Sequence, residues 1–373
     1  MAKDTPSSGK EQEVVSRRAV VGATVGGVGA ATLVGVAAAA AWPESSGGGG
    51  GGGNSTGGSS NGTDDTSKFA VWDPNTQPPE DFKAVDPVLP PAPAETVHDI
   101  TLTATEHKGE VALGVVQELW GFDNKVPGPV LRGKQGDQFN VTLKNEGAIG
   151  HSVDFHASLV APNVRMATIQ PGEELPYPFK AKHHGIYMYH CGTAPVLHHI
   201  GAGMYGAIVI DPPDLAPVDY EFIFVQSEFY LGEPEGVGDY DKMLNEKWDL
   251  VTFNGFANQY VYDPIEVDLN KRVRAWVLNT GPTNISSFHI VGTIFDTVYK
   301  EGNHLLRPGD GNNNGGCQVL DLMPAQGGYV EFTFEEAGLY TMVSHRFSDV
   351  PRGAAGVFKA GEFDLPTDGD MGH

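Results

Sequence analysis

The chain has only two cysteines, Cys191 and Cys317, in 373 residues. Two cysteines close at most one disulfide, so no disulfide framework holds the fold together. Positive charge is scarce as well: 24 Lys and Arg stand against 47 Asp and Glu, a formal net charge of −23. That balance argues against nucleic acid and anionic membrane surfaces as partners, since both would be repelled. Its plain meaning is a solvated acidic surface, and an excess this large also suits a high-salt habitat. No long stretch carries the 3.6-residue period of an amphipathic helix. Instead, 49 Gly and 26 Pro punctuate short runs of alternating character, the texture of an antiparallel sandwich or barrel. The length is sufficient for two ordinary domains.

Residues 1–15 are polar, and Ser16-Arg17-Arg18 then introduces a Gly/Ala/Val-rich run ending near Ala41. Twin arginines before a weakly apolar segment point to a twin-arginine export signal. The alternative is a retained membrane anchor, since the run is long enough to span. No cysteine follows it to accept a lipid. We assign residues 1–44 to this signal or anchor and 45–96 to a flexible linker. The Gly/Ser/Asn/Thr stretch from Ser45 to Thr63 has an r.m.s. span of about 25 Å as a random coil. The expected location is outside the cytoplasmic membrane, in a periplasm-equivalent space or at the cell surface, with or without a tether.

From residue 97 the pattern is strand-like. Asp99-Ile-Thr-Leu-Thr-Ala-Thr105 and Gln138-Phe-Asn-Val-Thr-Leu-Lys-Asn145 alternate apolar and polar residues, as half-buried strands do. Pro212-Pro213-Asp214 marks a boundary between domains at 97–212 and 213–373. The second half echoes the first: Phe253-Asn-Gly255 matches Phe122-Asp-Asn124, and Gly338-Leu-Tyr340 matches Gly185-Ile-Tyr187. Each glycine-led motif precedes a histidine, His190 or His345, and Ser287-Phe-His289 stands in the place of His151 to His156. One β-domain has been duplicated.

The chemistry concentrates in Tyr189 to Met204, YHCGTAPVLHHIGAGM. Cys191, His199 and Met204 offer a thiolate, an imidazole and a thioether; a second imidazole completes the ligand pattern of a blue-copper electron-transfer centre. Side chains alternate across a strand, so parity sorts the candidates. His151, Cys191, His199 and Met204 go to one site. His156 and His190 project from the opposite face with Asp154 beside them. Two imidazoles leave a site that wants a third ligand and an exchangeable water, and His289 and His345 are the candidates. The two sites share the His190–Cys191 peptide, which favours a redox enzyme over a simple carrier. His198 competes with His199, and a three-histidine site also accepts zinc, although the divalent affinity order favours copper.

These motifs, His151-x-x-Asp154-x-His156, His190-Cys191 through His199-x4-Met204, Ser287-Phe-His289 and Ser344-His345, resemble the copper-containing nitrite reductases with a short cysteine-to-histidine loop. The resemblance runs from about His98 to Gly361. It implies an all-β chain of two tandem Greek-key cupredoxin domains, sandwich or barrel, in a homotrimer. It implies type 1 copper on His151, Cys191, His199 and Met204, and type 2 copper on His156 and His190 with His345 of a neighbouring subunit. Asp154 and His289 become the proton-handling pair around nitrite. Val291 stands where the family has a bulky aliphatic residue, and is smaller than the commoner isoleucine. The implied activity is one-electron reduction of nitrite to nitric oxide and water, fed by a small cupredoxin or cytochrome c. A multicopper oxidase would need His-x-His pairs and a His-Cys-His core, yet Gly192 follows Cys191 and no His-x-His occurs. A type 1 electron carrier would leave His156, His190, His289 and His345 idle. His183, His184 and His198 read as surface or neighbouring residues. His98, His107, His304 and His373 carry no signal, and Cys317 no role.

Overall fold

The computed structural model describes residues 68–309 and 315–363. The expected signal or anchor, the linker as far as residue 67, and His373 lie outside them.

The first domain contains β1 (Val97–Ala112), β2 (Val115–Phe122), β3 (Leu131–Lys134), β4 (Gln138–Asn145), β5 (Asp154–Phe155), β6 (Glu174–Lys180), β7 (Gly185–His190) and β8 (Tyr205–Asp211). They form two sheets, ordered β2-β1-β4-β6 and β3-β8-β7-β5. The expected alternation is realised in β4, which buries Phe139, Val141, Leu143 and Asn145 and leaves the residues between them half-buried. The second domain contains β9 (Tyr220–Phe229), β10 (Leu250–Phe253), β11 (Ile265–Val267), β12 (Arg272–Gly281), β13 (Ser286–Ile290), β14 (Thr297–Lys300), β15 (Asn303–Leu306), β16 (Leu320–Leu322), β17 (Gly327–Thr333), β18 (Gly338–Ser344) and β19 (Ala355–Ala360). Its sheets run β10-β9-β12-β17-β14-β15 and β11-β19-β18-β13-β16. Among the described residues no helix exceeds six residues or is long and apolar enough to cross a membrane.

The sequence echo is an echo of pairing. β1 runs parallel to β4 as β9 runs parallel to β12, and β3 pairs with β8 as β11 pairs with β19. β7 lies between β8 and β5 as β18 lies between β19 and β13. After β2 the chain turns through Asp123 (φ 57) and Asn124 (φ 55), and after β10 through Asn254 (φ 57) and Gly255 (φ 84). Asp, Asn and Gly are the residues that tolerate this left-handed region. The second copy has gained β14, β15 and β16.

Each sandwich has its own core, the first around Phe139, Phe155 and Tyr177, the second around Phe224, Phe288 and Phe332. A third apolar cluster joins them, with Ile186, Met188 and Val209 of the first domain against Trp276, Tyr299 and Tyr329 of the second. Burying each such side chain contributes about 1.5–3 kcal/mol. The segment expected to be a linker up to residue 96 differs from that expectation where it is described. Phe82 packs on Phe256 and Tyr262 at 5.6 and 5.5 Å. Leu89 is buried, its N–H donating to Glu221 O at 2.9 Å, while Ile223 N–H donates to Pro87 O at 2.8 Å. Proline keeps this strap extended, and its few apolar side chains hold it along the second domain.

Candidate metal centres

β7 ends at His190, and Cys191 continues it into the core of the first domain. His151 follows β4 and bridges to Ile169, and the short helix Val196–Gly201 turns His199 inward. Nδ1 or Nε2 of each histidine and Sγ of Cys191 lie within 4.8 Å of one another, all buried. Sγ is 3.3 Å from His199 Nδ1 and receives the Ser152 and Thr193 N–H groups at 3.4 and 3.5 Å. Burial pushes the thiol pKa up, but His151, His199 and the Ser152 N–H outweigh it and bring it down to about 5. Gly203, at φ 121, lies where a Cβ would meet Trp120 O at 2.8 Å. That turn returns Met204 to the site: its N–H donates to His199 O at 3.0 Å, and its O accepts from Cys191 N–H at 3.1 Å. Met204 is fully buried.

The donor set fits a soft metal. His151 Nδ1 is buried with no hydrogen-bond partner, an expensive state unless something coordinates it. Its Nε2 faces Glu106 Oε1 at 2.8 Å. That bond assigns the proton to Nε2 and the lone pair to Nδ1, as carboxylate-held ligand histidines have it. Glu106, 45 residues away on β1, escapes a reading by motif because only folding brings it near. Ser152 and the Trp120 ring, 4.8 Å from His199, are further neighbours that spacing did not reveal.

On the opposite face of β7 lies a second set. Asp154 pairs with His190 across β5 and β7, with Oδ2 3.9 Å from His190 Nε2. His156 Nε2 is 3.0 Å from His190 Nε2. His190 Nδ1–H donates to Cys191 O at 2.9 Å, which leaves the Nε2 lone pair free. Nitrogens this close can both reach one ion at about 2.0–2.1 Å. Desolvation and the neighbouring His190 push the His156 pKa down, with Asp154 opposing, which favours the neutral ring that a ligand requires.

His289 and His345 lie elsewhere in the chain. Their rings are 5.4 Å apart, and neither belongs to the metal-competent cluster of Asp154, His156 and His190. His345 is exposed beside Phe347, His289 Nδ1 donates to Gln318 O, and Val291 is 48% exposed. His198 packs between Trp120 and Tyr240, at 4.8 and 5.1 Å, outside the thiolate set. His98 is buried against Asp137 at 2.9 Å, His184 bonds Tyr299, and His304 faces Tyr329 OH at 2.9 Å. Cys317 is half-buried, with Sγ–H donating to Val319 O.

Known proteins share this arrangement of sheets. A family model described as multicopper oxidase matches residues 103–215, most of the first domain and three residues beyond it. A copper-containing nitrite reductase of Neisseria meningitidis serogroup A is 36% identical over 290 residues, spanning 73% of this chain and 72% of the relative. The solved copper nitrite reductase of Nitrosomonas europaea superposes with a TM-score of 0.65 at 32% identity, covering 71% of this chain and 94% of that chain. A copper-containing nitrite reductase from Thermus scotoductus also gives 0.65, at 29% identity, over 72% of this chain and 63% of that one.

Proposed function

This chain belongs to the copper-containing nitrite reductases, and we propose that it works through the two ligand sets that meet at the His190–Cys191 peptide. The enzyme reduces nitrite to nitric oxide and water, consuming one electron and two protons. Copper, one type 1 and one type 2 ion per chain, would supply the one-electron chemistry and bind nitrite. His151, Cys191, His199 and Met204 would hold the type 1 ion in a dry pocket. His156 and His190 would hold the type 2 ion, with His345 of a neighbouring subunit in a homotrimer completing the set. Two imidazoles make an incomplete set within one chain, and His345 stands apart from them in its own chain, which supports completion by a second copy.

The chain's own groups handle the protons. Asp154, on the same face as His190, hydrogen-bonds nitrite and passes a proton from its carboxyl group to a nitrite oxygen. His289 donates its Nδ1 proton to Gln318 O, so Nε2 faces the water; the second proton leaves from Nε2–H of the imidazolium, which returns to the neutral Nδ1–H ring. Proton delivery by a positioned group is worth about 10²–10⁴-fold. Val291 forms the aliphatic roof over the substrate once the neighbouring subunit closes the pocket. The electron donor is a small cupredoxin or a cytochrome c, and the N-terminal twin-arginine segment directs export. The acidic balance suits high salt and leaves nucleic acid out as a partner. The multicopper oxidase alternative fails at residue 192, a glycine with no donor atom, and at the missing His-x-His pairs.

The observation that carries this function is the adjacency of His190 and Cys191, each aimed into a different ligand set. The test is anaerobic nitric oxide release from copper-loaded protein given nitrite and a reduced dye. Release that vanishes in His345→Ala, while the thiolate-to-copper absorption survives, supports the two-site reading. No release from protein holding both coppers overturns it.

A further inference from the structure

Two carboxylates that the reaction does not use lie buried behind the second-domain histidines: Asp349 is 0% exposed and Glu228 1%. Asp349 Oδ2 accepts from Asn284 Nδ2 at 2.8 Å and Oδ1 from Trp248 Nε1 at 3.3 Å. Its backbone ties the loop after His345 into a knot: Asp349 N–H donates to Arg346 O, and Asp349 O accepts from Arg352 and Ala354 N–H, all within 3.1 Å. Arg346 donates to Asn284 Oδ1 and lies over the Trp248 ring, 4.6 Å from its centroid. Glu228, on β9, accepts from Thr283 N–H and Oγ1 at 2.9 Å each, and from Asn284 N–H and Tyr230 OH. Asn284 is therefore the hub. Glu228 holds its backbone, Asp349 takes its amide hydrogen, and Arg346 bonds its amide oxygen.

The hub links the two segments that carry the histidines. Asn284 leads into β13, which carries His289, and Arg346 directly follows His345. His345 N–H donates to Ser287 O at 2.6 Å, so the two segments are also tied at the histidine itself. His345 is exposed, and packing around its ring fixes it less than the backbone that carries it. A metal site tolerates errors of only about 0.2 Å in ligand distance.

We propose that Asp349, read through Asn284, is a positioning residue of the type 2 copper site: it fixes the loop that aims His345 and the strand that aims His289. The proposal rests on His345 being a type 2 ligand. In this network the backbone N–H, the amide nitrogen and the amide oxygen of Asn284 each have a partner. Buried networks have that all-or-nothing character, in which one mismatched partner displaces the whole set.

The test uses the copper-loaded full chain, with type 2 affinity and electron paramagnetic resonance read beside the thiolate-to-copper absorption. Asp349→Asn keeps the shape but cannot accept from both the Trp248 N–H and the Asn284 amide. Type 2 affinity is expected to fall about 10–100-fold, with a changed type 2 hyperfine pattern and unchanged type 1 absorption. The double variant Asn284→Asp/Asp349→Asn exchanges donor and acceptor and leaves Arg346 facing a carboxylate. It is expected to restore both affinity and spectrum. Wild-type affinity and spectrum in Asp349→Asn overturn the proposal, as does a double variant no better than the single. If Asp349→Asn does not fold, Trp248→Phe carries the test, since it removes one donor and keeps a ring beneath Arg346. A several-fold loss of type 2 affinity then supports the proposal, and wild-type affinity overturns it. His345→Ala separates the two premises. If it keeps the type 2 signal, the ligand assignment fails; if it loses the signal while Asp349→Asn binds normally, only the positioning role fails.

Discussion

Cys191 and His190 are neighbours in sequence that face opposite ways. Cys191 Sγ is fully buried 3.3 Å from His199 Nδ1, while His190 Nε2 opens to the other side, 3.0 Å from His156 Nε2. Strand alternation makes this obligatory. An electron passing between the two ligand sets therefore has a covalent path of one peptide bond and two short side chains. The His190 Nδ1 bond to Cys191 O at 2.9 Å stiffens that path.

Asp154 sits beside this path, and in the proposed reaction it donates a proton to the substrate. Asp154→Asn preserves both ligand sets but has no proton to give, so both coppers should be retained while turnover falls about 10²–10⁴-fold. Steady-state nitric oxide formation with a copper assay checks this, and unchanged turnover removes Asp154 from the mechanism.

Glu106 acts on the other set through the 2.8 Å contact with His151 Nε2. Glu106→Ala frees the imidazole to rotate and to change tautomer. Copper affinity at the type 1 site should fall about 10–100-fold, followed through the thiolate-to-copper band during titration. Glu106→Gln should lose less, because its amide oxygen still accepts the Nε2 proton. Equal affinity in all three proteins would mean that packing alone fixes His151.

In copper-free protein the Cys191 thiol should ionise near pH 5, against about 8.5 for an ordinary cysteine. The folded state sheds a proton that the unfolded chain keeps. This group's contribution to stability is thus complete above the unfolded value and fades as pH falls through the folded one. Thiolate absorbance against pH, compared with Cys191→Ser, measures the midpoint directly; a midpoint at or above 8 would refute the description.

Arg274 is 2% exposed and bonds Glu331 at 2.6 Å and Glu221 at 3.1 Å. Glu221 also takes Arg132 of the first domain at 2.9 Å, so the network crosses the domain boundary. Arg274→Ala removes the buried cation that Glu331 and Glu221 share, leaving Glu221 on Arg132 and Glu331 on Arg272. It should cost about 1.5–3 kcal/mol, the worth of hydrogen bonds to charged groups. Urea unfolding at neutral pH is the measurement. A loss under 1 kcal/mol would show that water reaches the gap.

The sequence alone carried the local and periodic information. Period-2 alternation marked β4, and parity separated Cys191 from His190. The repeated turns after Phe122 and Phe253 exposed a duplicated domain, since Asn, Asp and Gly are the residues that enter left-handed backbone. Long-range partners were hidden. Glu106 is one of many acidic residues until β1 brings it to His151, and Asp349 lies 65 residues from Asn284. The strap from 68 to 96 looked like linker because Pro and acidic residues dominate it. Phe82, Val85 and Leu89 hold it to the second domain through contacts that no local pattern reports.

Tertiary structure also decided which histidines stand apart. Parity already places His156 and His190 beside Asp154; what the fold adds is that His289 and His345, the candidates for a third ligand, stand apart from them within one chain. The division has a physical cause. Strand period and residue chemistry fix which way a side chain points, and both are written in the sequence. The distance between two strands depends on how whole sheets pack, which only the folded chain determines.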